Sequence, residues 1–230
     1  MFKTMGIYKR MKNIQEFQRF YVSEFMPRML QLPGVLEMKI NSLTTAESAN
    51  DAEDHFEIDL IVETYYESAE TIKQLMATEE GRSLGNWLVS KGEGKVGAFV
   101  AQEYRVQSYR SAQGNFKTIG ICKKTDQTDE FEKFYISEFM PQMMKMPGVV
   151  KMEINKLLPT QLANQAEDLH DIDFVIETYY ESPETMKQIM ATEEGKALGD
   201  SLISRVQGNM GIYVAKEYQV QSFKRLEEKR

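Results

Sequence analysis

FEIDLIVETYYESAETIKQLMATEEG, residues 56–81, returns later in the chain as HDIDFVIETYYESPETMKQIMATEEG, residues 170–195. Each copy begins with alternating apolar and polar residues, as a half-buried strand does, and then passes through a Ser to a helical pattern. Ser68 and Ser182 are suited to cap the helix, and Pro183 after the second Ser suits a first helical residue. The match extends outward from this stretch. Phe2 and Phe116, Pro33 and Pro147, Tyr65 and Tyr179, and Tyr104 and Tyr218 all stand 114 positions apart. Roughly half of the paired positions are identical, and a period of this length is a whole domain and not a solenoid unit. The 230 residues therefore divide into repeat one (1–110), a short polar linker SAQGN (111–115), repeat two (116–224) and a charged tail (225–230).

Within repeat one, Phe2 to Lys9 reads as a strand. Asn13 and Glu16 have capping-box spacing, and the helix they introduce places Phe17, Phe20, Tyr21 and Phe25 on one face. Pro33-Gly34 turns the chain into a second strand, Val35 to Leu43, with Leu36, Met38 and Ile40 on one side and Glu37, Lys39 and Asn41 on the other. Thr44 to Asp54 reads as a loop. The third strand, Phe56 to Tyr66, sets Phe56, Ile58, Leu60 and Val62 against Glu57, Asp59, Glu63 and Tyr65. Thr78-Glu79-Glu80-Gly81 restarts the second helix with acids at its positive end, Gly92 and Gly94 close it, and Val96 to Tyr109 is a fourth strand.

Strand, helix, strand, strand, helix, strand is the ferredoxin-like βαββαβ order, with both helices on one face of an antiparallel sheet. The fold class is thus α+β: two tandem ferredoxin-like βαββαβ repeats packing sheet-to-sheet as a pseudo-dimeric α/β barrel, each covering the other's open sheet face. A charge reversal fits such an interface, since Glu37 and Lys39 become Lys151 and Glu153 in the second copy. Drift at exposed positions would produce the same exchange.

A net charge of −7 disfavours general nucleic-acid binding, which needs clustered Lys and Arg. No apolar run is long enough for a membrane span, and the first residues read as a strand and not as a secretory leader. Cys122 is the one cysteine, and Tyr8 holds its place in the first copy, so neither an internal disulfide nor a cysteine metal site is expected. A cytoplasmic setting fits these features.

FQRFYVSEFMPRMLQLPGV with MATEEGRSLG, and their copies FEKFYISEFMPQMMKMPGV with MATEEGKALG, resemble the dimeric α/β-barrel superfamily and within it the EthD-like group, named for ethyl tert-butyl ether degradation. The resemblance covers both halves and implies a dimer fused into one polypeptide, with a pocket in each half between sheet and helices or at the barrel. If the chain is an enzyme, the resemblance implies cofactor-independent monooxygenase, isomerase or cyclase chemistry, with no cofactor and no metal. Many EthD-like sequences carry a His two residues before the helix proline. Phe25 and Phe139 stand there instead, which removes any chemistry that relied on that imidazole.

The candidate catalytic residues are Asp59, Glu63, Asp173 and Glu177, acids repeated on the polar side of strand three, with Glu103 and Glu217 added by strand four. Brought together and partly desolvated, such carboxylates could act as general acid or base. They also read as members of cross-strand ion pairs, with Lys3 or Lys9 as partners. Tyr8, Tyr21, Phe25, Tyr65, Tyr104, Phe139, Tyr179 and Tyr218 are the candidate ligand-binding residues, suited to a small apolar or aromatic molecule. His55 and His170 occupy non-equivalent positions and belong to no duplicated site. The expected partners are a small apolar ligand, no nucleic acid and no membrane, with further oligomerisation open. The alternative function is that of a non-catalytic structural or assembly protein.

Overall fold

The computed structural model describes residues 2–45, 57–92, 96–108, 116–159, 169, 171–206 and 208–221. His55, Phe56, His170, the linker and the charged tail lie outside them.

The first repeat forms β1 (Phe2–Lys9), α1 (Ile14–Phe20), α2 (Met26–Met29), β2 (Val35–Thr45), β3 (Ile58–Tyr66), α3 (Ala69–Ala77), α4 (Glu79–Lys91) and β4 (Val96–Gln107). The second gives β5 (Phe116–Lys123), α5 (Thr128–Phe134), α6 (Met140–Met143), β6 (Val149–Pro159), β7 (Ile172–Tyr180), α7 (Pro183–Ala191), α8 (Glu193–Val206) and β8 (Met210–Gln221). The strands close into one antiparallel barrel in the order β1-β3-β2-β8-β5-β7-β6-β4. The halves join edge to edge: β2 pairs with β8, and β4 with β6. Among the described residues every strand is hydrogen-bonded on both sides, so the barrel presents no open sheet edge to another chain.

Helices cover the outside of the barrel. In the first half Phe17, Phe20, Tyr21 and Phe25 pack on Met38, Ile40, Leu60 and Val62, as the helical and strand periods require. A matching cluster forms in the second half. Inside the barrel, residues from both halves (Met5, Ile61, Phe99, Ile119, Val175 and Tyr213 among them) fill one end with apolar side chains. The other end is polar.

Several local expectations need correction. Asn13 makes no side-chain cap hydrogen bond. Between α1 and α2 lies a π-helical stretch, Tyr21–Phe25, in which the Met26 N–H donates to the Tyr21 carbonyl. Pro27 lacks the N–H that would bond the Ser23 carbonyl, and the widened turn accommodates that loss. The second copy repeats it at Tyr135–Phe139. Strand β2 runs on to Thr45 because Thr44 and Thr45 pair with Val214 and Tyr213 of the other half. Ile58, expected on one face with Leu60 and Val62, instead belongs to the barrel interior. The register between β1 and β3 slips there: Tyr8 opposes Leu60 and Lys9 opposes Ile58, leaving Asp59 as the extra residue of a bulge. A one-residue slip exchanges the faces of a strand. The same slip falls at Asp173.

Helix caps divide the second helical segment as the sequence indicates. Ser68 Oγ accepts from Thr71 N at 3.1 Å, and Thr78 Oγ1 accepts from Gly81 N at 3.0 Å at the corner between α3 and α4. Gly81 sits so close to α3 that a Cβ there would lie 2.0 Å from the Leu75 carbonyl oxygen. Backbone cannot yield as a side chain can. Gly81→Ala should therefore cost roughly 1–3 kcal/mol, the usual range for overpacking. Chemical denaturation measures it, and an unchanged midpoint would mean that the corner opens freely.

Candidate functional site

The polar end of the barrel is built from residues that alternation turns inward: Lys3 of β1, Lys39 and Asn41 of β2, Glu63 and Tyr65 of β3, and their counterparts 114 positions on. Lys3, Glu63, Lys117, Glu153, Glu177, Asn41 and Asn155 are fully buried. Buried charge is tolerated only when paired and hydrogen-bonded, and here pairing crosses between the halves.

Lys3 Nζ donates to Glu63 Oε2 at 2.6 Å and to Tyr65 Oη at 3.1 Å, and lies 3.7 Å from Glu177 and 3.8 Å from Glu153 of the second repeat. Lys117 Nζ mirrors it. It donates to Glu177, to Tyr179 Oη at 2.9 Å and to Glu217 Oε2 at 2.8 Å, and lies 3.7 Å from Glu63 of the first repeat. Asn41 Nδ2 donates to Glu63 at 2.9 Å, and Asn155 Nδ2 to Glu177 at 3.1 Å. The reversed pair completes the set. Lys39 lies 3.6 Å from Glu217, while Glu153 takes Arg105 at 2.8 Å and Lys151 at 2.9 Å.

These contacts fix the protonation states. Burial opposes the Glu63 carboxylate, yet Lys3, Lys117 and Lys39 hold its pKa well below the usual range. Glu153 and Glu217 are lowered in the same way against the burial penalty, Glu153 by Lys3 and Lys151, Glu217 by Lys117 and Lys39. Lys3, Lys39 and Lys117 lose hydration on burial, but the surrounding carboxylates raise all three above the ordinary lysine value. Burial first, and then these same carboxylates, keep Tyr65 and Tyr179 protonated. Glu63, Glu177 and Glu217 also offer oxygens within 4.8 Å of one another, a donor set with the reach to hold a cation. The Lys117 ammonium stands among them.

Of the expected catalytic acids, the fold brings Glu63 and Glu177 together and separates Asp59 and Asp173 from them. Four residues along the strand put Asp59 about 13 Å from Glu63. The bulge adds a change of direction, so that Asp59 Oδ2 accepts the Met11 N–H at 2.7 Å. Asp173 neighbours Thr128 and Lys156, and burial raises its pKa.

The expected ligand-binding aromatics fall into three places. Tyr65 and Tyr179 belong to the charged chamber. Tyr104 and Tyr218 are 46% and 51% exposed on the outer surface. Tyr8, Tyr21, Phe25 and Phe139 lie in the layers between helices and barrel wall. In the first half Tyr8 packs on Phe17 at 4.7 Å between ring centroids, and Phe20 meets the edge of Trp87 at 4.6 Å. The hydroxyls of Tyr8, Tyr21 and Tyr135 are buried there with no hydrogen bond of normal geometry. Burial raises the pKa of each, and Tyr8 is near enough to raise that of Tyr21 further.

Lys117, Asn41, Asn155 and Arg105 were not singled out from the sequence. Three of them carried a signal: Lys3/Lys117 and Asn41/Asn155 recur 114 positions apart on the same inward parity as the acids.

No protein-family model and no curated protein matches the chain. Solved structures do match. A structure of an anthrone oxidase-like protein covers 96% of this chain and 93% of its own length at 12% identity, with a TM-score of 0.67. A putative monooxygenase from Lactobacillus acidophilus covers 96% and 95% at 16% identity, with a TM-score of 0.52. An EthD family protein from Bacillus halodurans aligns with 43% of this chain and 94% of its own at 21% identity, with a TM-score of 0.38, which leaves the EthD group as a resemblance. At these identities the likeness is one of fold, and fold does not carry activity with it. Among the described residues no helix is long and apolar enough to cross a membrane. The fold is that of the dimeric α/β barrels, with both halves of the barrel supplied by a single polypeptide.

Proposed function

We propose that the protein binds a small aromatic molecule bearing an acceptor oxygen, such as a ketone or phenol, in the layer between α1–α2 and the barrel wall of the first half. The observation that carries this reading is a pair of buried hydroxyls, Tyr8 without a partner and Tyr21 with only a Thr64 contact short of normal hydrogen-bond geometry, set among Phe17, Phe20, Phe25 and Trp87. An unmet buried hydroxyl costs about 1–3 kcal/mol, and a ligand oxygen accepting from both would recover it. Apolar walls with a few converging polar groups are the usual make-up of a ligand site. Because the rings are in contact, entry requires them to move apart, and the ligand selects that opened state. The second half has Cys122 in place of Tyr8 and Ser201 in place of Trp87. It offers one tyrosine hydroxyl and one large aromatic wall fewer and binds such a molecule less well.

On this reading Glu63 and Glu177 hold the barrel together. Each is buried and saturated with ammonium, hydroxyl and amide donors; Glu63 is in addition held well below the usual carboxylate range, whereas a general base works best with a pKa near the working pH.

Native mass spectrometry of the protein as isolated, followed by denaturation, would release and weigh such a ligand. Trp87 is the one tryptophan in the chain and reports on the same layer, so an aromatic ketone can be titrated by its fluorescence. Anthrone, the compound in the name of the similar structure, serves as the probe. Tyr8→Phe should weaken ketone binding roughly 3- to 10-fold, the worth of one hydrogen bond, while leaving the free protein as stable or slightly more so. The reading fails if no ligand is released and Trp87 does not respond, or if Tyr8→Phe destabilises the free protein.

A non-catalytic assembly role has its own supporting observation, since Phe2, Tyr104 and Tyr218 are about half exposed. It requires a stable higher oligomer at native mass. A monomer that carries a ligand excludes it.

A further inference from the structure

Away from the barrel chamber and the aromatic layers, the second half carries an open cleft of about 410 Å3, within the range of ordinary ligand sites. One wall is the turn from β5 into α5, Lys124 to Gln127. The other is Arg205 in the last turn of α8 and Asn209 just before β8. Backbone hydrogen bonds fix the walls against each other. Lys123 N donates to the Asn209 carbonyl at 2.9 Å, Lys124 N to the Asp171 carbonyl at 2.6 Å, and Asn209 N to the Val206 carbonyl at 2.8 Å. Side chains close the turn itself. Thr125 N donates to Thr128 Oγ1 at 3.1 Å, Thr128 Oγ1 to the Thr125 carbonyl at 2.8 Å, and Gln127 N to Thr125 Oγ1 at 3.2 Å. The first half is built otherwise. Ile14 stands where Thr128 does, the Met11 N–H goes to Asp59 Oδ2, and Lys12 and Lys91 replace Asp126 and Arg205. The set of groups around the cleft therefore occurs once in the molecule.

Arg205 lays its guanidinium over the Phe134 ring, 3.9 Å from the ring centre. Stacking uses the flat face of the guanidinium and leaves its in-plane N–H groups for an oxyanion. Among the described residues none of Arg205, Lys124 and Asp126 forms an ion pair, although two cations and a carboxylate line the same cleft. We infer that the cleft binds a small zwitterion, a free amino acid with a polar side chain, whose carboxylate lies against Arg205 and Lys124 and whose ammonium lies against Asp126. A ligand of one sign would leave either the carboxylate or the two cations unmet. A doubly charged phosphate would also be repelled by Asp126 and by Asp129 and Glu130 in the first turn of α5. An amino acid meets both signs, and Thr125, Gln127 and Asn209 offer hydroxyl and amide groups to its side chain. The cleft lies in the opposite half from the Tyr8–Tyr21 layer and stands without it.

The probe is L-glutamine, titrated into the intact, isotope-labelled protein and followed through the backbone amide signals of Lys124 to Gln127 and Asn209. Charge-assisted contacts at an open surface predict a dissociation constant on the order of 1 mM. Glutaramate, which lacks only the ammonium, and 4-aminobutyramide, which lacks only the carboxylate, should each bind roughly three- to tenfold more weakly. Arg205→Gln should weaken glutamine binding by a similar factor. Asp126→Asn should weaken glutamine binding and leave that of glutaramate no weaker. Both side chains are exposed, so neither change should move the melting temperature. Glutaramate binding as tightly as glutamine would make the cleft a site for plain anions and overturn the inference. So would signals that stay in place up to roughly twenty times the expected dissociation constant, or glutamine binding that both variants leave intact.

Discussion

Lys117→Met should destabilise the protein by about 3–5 kcal/mol, the loss expected when one member of a buried ion network is removed and its partners stay charged. The Lys117 side chain is fully buried and serves Glu177 and Glu217 of its own half and Glu63 of the other. Met fills much the same volume, so the loss comes from the carboxylates left without a cation and not from a void. Two further measurements separate these causes. Lys117→Met combined with Glu177→Gln should recover a substantial part of the stability, because fewer buried charges then stay unpaired. Lys156→Met removes a lysine that pairs with Glu132 at 2.6 Å, but those two side chains are 33% and 31% exposed. It should cost no more than about 1 kcal/mol. Urea denaturation gives all three values. If Lys117→Met costs as little as Lys156→Met, water enters the chamber freely and the network is not what holds the halves together.

Much of this arrangement was legible in the sequence, and the rest was hidden for physical reasons. Side-chain alternation put Glu63, Lys39 and Tyr65 on the face away from the helices, and the repeat doubled them. Alternation is local, however, and barrel closure is not. That β2 continues to Thr45 depends on β8, more than 160 positions away, offering Tyr213 as a partner. The bulge at Asp59 follows from the register of β1 on β3, and no feature of IDLIVE announces it. The π-helical stretch was implicit in Pro27, since a proline within a helical period must disturb the hydrogen bonds before it. The separation of Asp59 and Asp173 from Glu63 and Glu177 shows where strand parity fails: it names a face and is silent about which end of the barrel a residue reaches.

The fold should also be confined to a definable pH range. Glu63, Glu153 and Glu217 have folded pKa values below their ordinary ones. Their contribution is present above the unfolded carboxylate value, about 4.3 for Glu, and is lost as pH falls through the folded values. Lys3, Lys39 and Lys117 have raised pKa values. Their contribution is complete below the unfolded lysine value of about 10.4 and is lost as pH rises beyond it. Tyr8, Tyr21, Tyr65 and Tyr179, raised chiefly by burial, act in the same alkaline direction from about pH 10. Lys151 is lowered and works the other way, against this whole set. The melting temperature should therefore form a plateau between about pH 5 and 9 and fall on both sides. A drop of roughly 10 °C or more is expected by pH 11, since each kcal/mol shifts the melting point of a chain this size by about 2–4 °C. Salt at 1 M should barely alter the plateau, because buried pairs are screened far less than exposed ones. A melting temperature that stays level from pH 7 to 11 would mean that the lysines and tyrosines ionise alike in the folded and unfolded chain. Such a result is incompatible with a dry chamber.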